Sequence, residues 1–212
     1  MDQLMELSTG RLCRCGTDSA ELIVNRASYG PGGGGAQMRY AVAPSPFGQI
    51  LIAATAHGVC WIGIHDSVAH LESELRRDYP QAAIARDDRD DATVADYARR
   101  VVGSITNEPT ALDRLPLDIR ATPFQLAVWR ELCAIPRGAT RSYGAIAHRI
   151  GRPDAPRAVG HANGSNPLAI IIPCHRAIGA NGALTGYRWG VEIKCRLLEN
   201  EGTIAQRSLA VA

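Results

Sequence analysis

Hydrophobic and polar positions change period partway along this chain. Between residues 39 and 64, short runs rich in Ile, Val and Ala (39–43, 49–55 and 59–64) alternate with the breaks at 44–48 and at His57-Gly58. That pattern predicts three strands joined by hairpin turns. The spacing then lengthens. Ser67 precedes Val68, Leu71 and Leu75, and a second helical stripe over 93–105 carries Val94, Tyr97, Val101 and Val102 inward. Residues 115–119 read as a further strand. Thr122-Pro123-Phe124-Gln125 opens a helix with a capping box and a proline in its first turn. Ser142 caps a helix that stops at Gly151. Arg152-Pro153-Asp154 is a turn, and Asp154 is expected to cap a second helix that begins around Pro156 and ends near Gly164. Asn181-Gly182 marks a tight turn, and residues 191–201 read as a closing helix. The pattern is α/β: an αβ unit with an antiparallel sheet over 38–119, then a mostly helical unit over 120–202 carrying a helix-turn-helix. Residues 203–212 are read as a tail. Residues 1–37 read as a flexible segment, because Pro31-Gly32-Gly33-Gly34-Gly35 has the composition of a linker.

Charge sharpens this division. The 212 residues carry a net charge of only +2, but it is unevenly placed. Residues 120–200 hold eleven Lys or Arg against four Asp or Glu, whereas residues 61–118 hold seven against twelve. A basic half beside an acidic half points to a polyanionic partner on one side. No apolar run is long enough to cross a membrane, and no secretory pattern opens the chain. The six cysteines are scattered, which suits reduced thiols in a cytoplasm. Cys13 and Cys15 are one residue apart, unlike zinc-site spacing, so no metal or other cofactor is expected.

The chemistry concentrates at one point. Residues 168–172 form an apolar run that reads as a buried strand or core segment, and Pro173 ends it. Cys174, His175 and Arg176 follow at once. Only a thiolate is a strong nucleophile, and a neighbouring base and cation favour it. A cysteine in an apolar run is nonetheless most often a small core residue. A Tyr after a Ser is most often packing beside a cap, and a Glu before a Gly most often a helix end.

The wider constellation decides between these readings. Phe124-Gln125, Val128-Trp129, Ile135-Pro136, Ser142-Tyr143, Arg157-Ala158-Val159-Gly160, Asn166-Pro167-Leu168, Pro173-Cys174-His175-Arg176, Gly186-Tyr187, Lys194 and Glu201-Gly202 stand in fixed order. This set closely resembles the O6-alkylguanine–DNA alkyltransferases, also called methylated-DNA–protein-cysteine methyltransferases, over residues 38–202. Within that family it is most like the C-terminal half of the bacterial adaptive-response regulators. The resemblance implies a ribonuclease H-like first domain without that enzyme's chemistry, and a winged-helix-like second domain. It implies a direct-reversal repair protein, a monomer whose partner is double-stranded DNA carrying O6-alkylguanine. By the resemblance, Cys174 accepts the alkyl group in a single displacement and acts once. His175 takes the thiol proton through a water, Glu201 orients His175, Tyr143 hydrogen-bonds the departing guanine, and Asn166 holds the turn near the thiol. The second helix of the pair would enter the minor groove, with Arg157 filling the stack left by the flipped base. Ser142, Ala155, Pro156, Tyr187, Trp189 and Lys194 would complete the substrate and DNA side, Trp189 as a wall of the alkyl pocket. Relatives that carry a basic residue near the helix end differ from this chain, which has Gly164 there.

Three other readings compete. A non-catalytic lesion binder would lack Cys174. A methyl-signalled regulator would need modules that this sequence does not display. A cysteine hydrolase would need an oxyanion hole and a turning-over thioester. The small residues of the second helix also admit a tight helix–helix contact in the core.

Overall fold

The computed structural model describes residues 11–12, 22–26, 28–89, 92–106, 112 and 115–203. The first half is built on a mixed sheet. Strands β3 (Gln37–Ser45), β4 (Gly48–Thr55) and β5 (Gly58–His65) form the antiparallel hairpins that the alternation predicts. Gly58, with φ +149°, lies where an added Cβ would sit 2.5 Å from the Pro116 carbonyl, so this crossing requires glycine. Helix α1 (Val68–Asp78) packs on β4 and β5 through Leu71 and Leu75. Helix α2 (Thr93–Ile105) packs on β3 and β4; its buried stripe centres on Val94, Ala98, Val101 and Ile105, with Tyr97 and Val102 at its margin. Strand β5 is buried along nearly its whole length.

The expectation of an antiparallel sheet holds only for that centre. β6 (Ala83–Arg86), which the periodicity missed, pairs in parallel with β3, and β7 (Leu117–Ile119) pairs in parallel with β5. β6 is mostly exposed and has no apolar face to announce it. The reading of a flexible segment before Met38 is corrected only where residues are described; residues 1–10, 13–21 and 27, including Cys13 and Cys15, lie outside them. Strands β1 (Arg11–Leu12) and β2 (Leu22–Arg26) extend the sheet beyond β7, giving the order β1-β2-β7-β5-β4-β3-β6. Pro31–Gly33 is a short 3-10 turn closed by a 2.8 Å bond from Gly30 N to Gly34 O, with Gly33 packed against Tyr79 and Ala82. Tyr29 is buried in the core. The glycines serve a compact turn with positive φ, a geometry that composition alone reads as a linker.

The second half starts at α3 (Pro123–Cys133), whose capping box forms as predicted: Gln125 N donates to Thr122 Oγ1 and Thr122 N to Gln125 Oε1. Strand β8 (Arg141–Ser142) leads into α4 (Tyr143–Arg149), capped by the Ser142 hydroxyl. Helix α5 (Pro156–Gly164) follows, and α6 (Val191–Asn200) closes the described chain. Asp154 does not cap α5. The capping position is Ala155, with no side-chain cap bond.

The apolar run 168–172 is a chain of tight turns, not a strand. Ile170 there has φ +75°, an uncommon conformation for a β-branched residue. Its first residue, Leu168, bridges Ile62 of β5 where β7 no longer pairs with it. Ile62 N donates to Pro167 O at 2.7 Å, and Ala169 N to Ile62 O at 3.3 Å. Backbone bonds thus seat the second half on the first half's sheet.

Candidate active site

Pro173 delivers the chain into a 3-10 turn, Cys174–Arg176, all three residues of which are buried. The next residues form β9 (Ala177–Ile178), which pairs in parallel with β8 and so brings Tyr143, the first residue of α4, toward this turn. Asn166 staples the loop from behind. Its Nδ2 reaches Cys174 Sγ at 3.1 Å, Ile172 O at 2.9 Å and Leu168 O at 3.3 Å, while its Oδ1 accepts from Leu168 N at 2.9 Å. This one buried amide fixes both ends of the turn and the thiol.

Burial pushes the Cys174 thiol up, against the opposing pulls of the Asn166 bond, the Lys194 charge and Tyr187. The resting sulfur is therefore protonated. His175 lies on the other side of the turn, and burial holds its pKa below the usual imidazole value, against the pull of Glu201. Its Nε2 is 3.0 Å from Glu201 Oε1. Burial alone would raise Glu201, but bonds from His175 and Arg176 outweigh it and bring its pKa to about 2. A carboxylate can only accept, so the shared proton belongs to Nε2. That leaves Nδ1 as the lone-pair nitrogen, and it makes no hydrogen bond to any described residue. The tautomer suited to a general base is set by the carboxylate.

Arg176 was not singled out as a site residue, yet it completes this group. Its Nε donates to Glu201 Oε2 at 2.9 Å, its Nη2 to Oε1 at 2.8 Å, and its Nη1 to Ile135 O at 2.7 Å. The signal was present in the sequence: a charged residue inside an otherwise buried stretch needs a partner.

The other expected residues divide. Tyr143 is half-buried, its hydroxyl 3.4 Å from Thr185 O; burial raises it, and the nearby Cys174 adds to that. The buried Tyr187 hydroxyl has no hydrogen-bond partner among the described residues; burial raises its pKa, and the nearby Cys174 adds to that. Ser142 spends its hydroxyl on Ala145 N, so it acts as a cap. Lys194 departs from expectation. It is fully buried, donates to Ala177 O at 2.7 Å and Thr185 O at 3.0 Å, and burial lowers its pKa to about 8. It ties the loop together beneath the thiol and is absent from any outer DNA face. Trp189 departs too. Its ring meets Trp61 of β5 edge-on at 5.3 Å and 87°, under the Arg188 guanidinium 4.9 Å away. Arg188 in turn binds Asp78 Oδ2 at 2.6 Å and Glu74 Oε2 at 3.3 Å, both on α1. The expected pocket wall is thus a fastening of the loop onto the first half.

Helix α5 carries the exposed residues. Pro156, Arg157, Ala158, His161 and Gly164 face outward and Ala155 is half-exposed, whereas Val159, Ala162 and Asn163 are buried. Trp129 Nε1 of α3 donates to Ala162 O at 2.8 Å. A Cβ added at Gly160 or Gly164 would meet open space. Those two glycines are therefore not required by any contact among the described residues, which removes the reading of a tight internal helix contact with them.

Both halves of the chain match known proteins. Residues 38–119 match the family model described as 6-O-methylguanine DNA methyltransferase, ribonuclease-like domain, and residues 123–203 match the one described as its DNA binding domain. The chain is 44% identical over 176 residues to the bifunctional transcriptional activator/DNA repair enzyme Ada of Escherichia coli, covering 83% of this chain and 49% of that protein. It is 39% identical over 166 residues to the methylated-DNA–protein-cysteine methyltransferase of Methanosarcina acetivorans, covering 78% of this chain and 99% of that one. The crystal structure of Mycobacterium tuberculosis OGT in complex with DNA superposes with a TM-score of 0.61 at 37% identity, covering 79% of this chain and 93% of that one. The chain spans about half the length of the Ada relatives it matches.

Proposed function

This chain belongs to the 6-O-methylguanine DNA methyltransferase family, and from that premise we propose that it repairs O6-alkylguanine in double-stranded DNA by moving the alkyl group, once and irreversibly, onto its own Cys174. The observation that carries the reading is the Cys174 turn itself. A protonated buried thiol and a neutral histidine with its Nδ1 lone pair free share one turn, and a carboxylate from the end of α6 fixes that tautomer. In the proposed step the Cys174 S–H proton passes through a water to His175 Nδ1. The sulfur lone pair then forms the S–C bond to the alkyl carbon as the C–O6 bond breaks. The electrons of that bond move onto the guanine, which takes a hydrogen bond from the Tyr143 hydroxyl. The imidazolium formed faces Glu201, so charge separates toward a partner already in place. The thioether has no route back to the thiol.

In this proposal residues 120–202 carry the chemistry and the DNA contact, and residues 38–119 brace the loop. Helix α5 lies in the minor groove with its small outward face against the DNA, Ala155 and Pro156 at its entry and Arg157 in the stack. The protein acts as a monomer in the cytoplasm. The test is intact-mass measurement after incubation with an O6-methylguanine duplex. One methyl per molecule, mapped to Cys174 and persisting after the DNA is removed, is the expected result. Repeated turnover with unmodified protein would overturn the proposal.

A further inference from the structure

Between the two halves lies a cleft of about 700 Å³ whose lining joins Arg77 and Asp78 at the end of α1, Arg120, Gly164 and Ser165 at the end of α5, and Arg188. Its charges are not equivalent. Arg188 is held by Asp78 and Glu74, and Arg77 shares Glu74. Arg120 is exposed and has no carboxylate partner among the described residues, where its guanidinium makes a 3.5 Å hydrogen bond to Tyr29 O. The Arg77 side chain is 66% exposed. One guanidinium charge is thus in excess on this lining, and a second, Arg77, is paired with Glu74 but largely exposed on the same cleft.

The cleft continues the outward face of α5. Arg157 supplies a cation where that helix begins, but Gly164 at its far end supplies none and leaves open space. The same glycine forms part of the cleft rim. We infer that the DNA backbone leaving the Gly164 end of α5 crosses this cleft, and that Arg77 of the first half and Arg120, at the junction of the two halves, bind its phosphates. The DNA-binding surface then spans both halves, and Arg77 and Arg120 together supply the phosphate contact that α5 lacks at its end. This rests on the proposed repair function, which makes duplex DNA the polyanion concerned.

Counterion release offers a direct readout. Each phosphate contact adds about 0.9 to the slope of log affinity against log salt on B-form DNA. Duplex binding by the whole protein is measured by fluorescence anisotropy between about 50 and 200 mM salt. Arg77→Gln/Arg120→Gln should lose about 1–2 of slope, whereas Arg77→Lys/Arg120→Lys, which keeps the charges, should keep it. Adding Gly164→Arg to the double Gln variant should return about 0.9, since that site has room for a side chain. An unchanged slope in the double Gln variant, with thermal unfolding like the parent, would overturn the inference. Arg120→Gln alone removes only one long contact and provides the same test in a fold left intact. If the parent itself shows no salt-dependent duplex binding, the repair reading falls, and this inference with it.

Discussion

Glu201→Gln replaces one oxygen of a buried carboxylate by an amide, and the structure sets the size of the consequence. In the parent, Glu201 accepts two bonds from Arg176 and one from His175, and both partners are buried. Those bonds hold its pKa at about 2, down from 4.5 in an unperturbed side chain. A depressed carboxylate contributes stability that is fully present above pH 4.5 and is lost as pH falls toward 2. The shift corresponds to about 3 kcal/mol. A second route gives the same scale: breaking a buried pair strands the remaining charge at a cost of about 3–5 kcal/mol. Glutamine also reverses the tautomer of His175. Its amide can donate to Nε2, which moves the ring proton to Nδ1 and removes the base. Urea unfolding should therefore show a loss of about 3 kcal/mol at pH 7, shrinking as pH is lowered below 4.5. Single-turnover transfer from a methylated duplex should slow by roughly 10²–10⁴-fold. Glu201→Asp, which keeps the charge, should recover part of both. A Gln variant within about 1 kcal/mol of the parent, or one reacting at the parental rate, would refute the assignment of Arg176 and His175 to this carboxylate.

Three further outcomes follow from the same geometry. Cys174→Ala should abolish transfer while duplex binding persists, because α5 is separate from the thiol turn; methylation of this variant by a damaged duplex would refute Cys174 as acceptor. Arg157→Ala should weaken lesion capture in duplex DNA by at most a few kcal/mol, the cost of extrusion, and affect free O6-methylguanine less; equal losses on both substrates would assign Arg157 to the fold. Trp189→Ala should cost about 3–5 kcal/mol in urea unfolding, and Trp61→Ala a similar amount. The double variant should cost less than the sum, by about 0.5–1.5 kcal/mol for the edge-on pair, and strict additivity would show that the two rings do not depend on each other.

Much of this architecture was legible in the chain because short-range rules settle it. The β3–β4–β5 hairpins follow from alternation broken at turn residues, and the start of α3 from a capping box that needs only four consecutive positions. Cys174, His175, Glu201 and Asn166 were recognised as an ordered set, and the structure brings them together on one turn and its two flanks. What stayed hidden depends on partners distant in sequence. Parallel pairing of β6 and β2 is decided by which strand edge is left free, and no local pattern records that. Lys194 entered a tally of surface cations because a charge count carries no depth; its carbonyl partners sit on the loop beneath the thiol. Trp189 was read as pocket lining because its role depends on Trp61, a residue of the other half.

Asp118 shows where one unit of this fold begins. It is fully buried on β7, and its carboxylate accepts from Ser28 N at 2.8 Å, from the Ser28 hydroxyl at 2.6 Å and from the Thr55 hydroxyl. Two of those three donors precede Met38, where the match to the ribonuclease-like family domain starts. A fragment beginning at Met38 would keep both matched family domains, yet lose Tyr29 from the core and strip a buried carboxyl group of two of these three hydrogen bonds. Leaving a buried polar group without its partners costs about 1–3 kcal/mol. The border of the matched family domain and the border of this carboxylate's ligation therefore differ, and the second reaches back at least to Ser28.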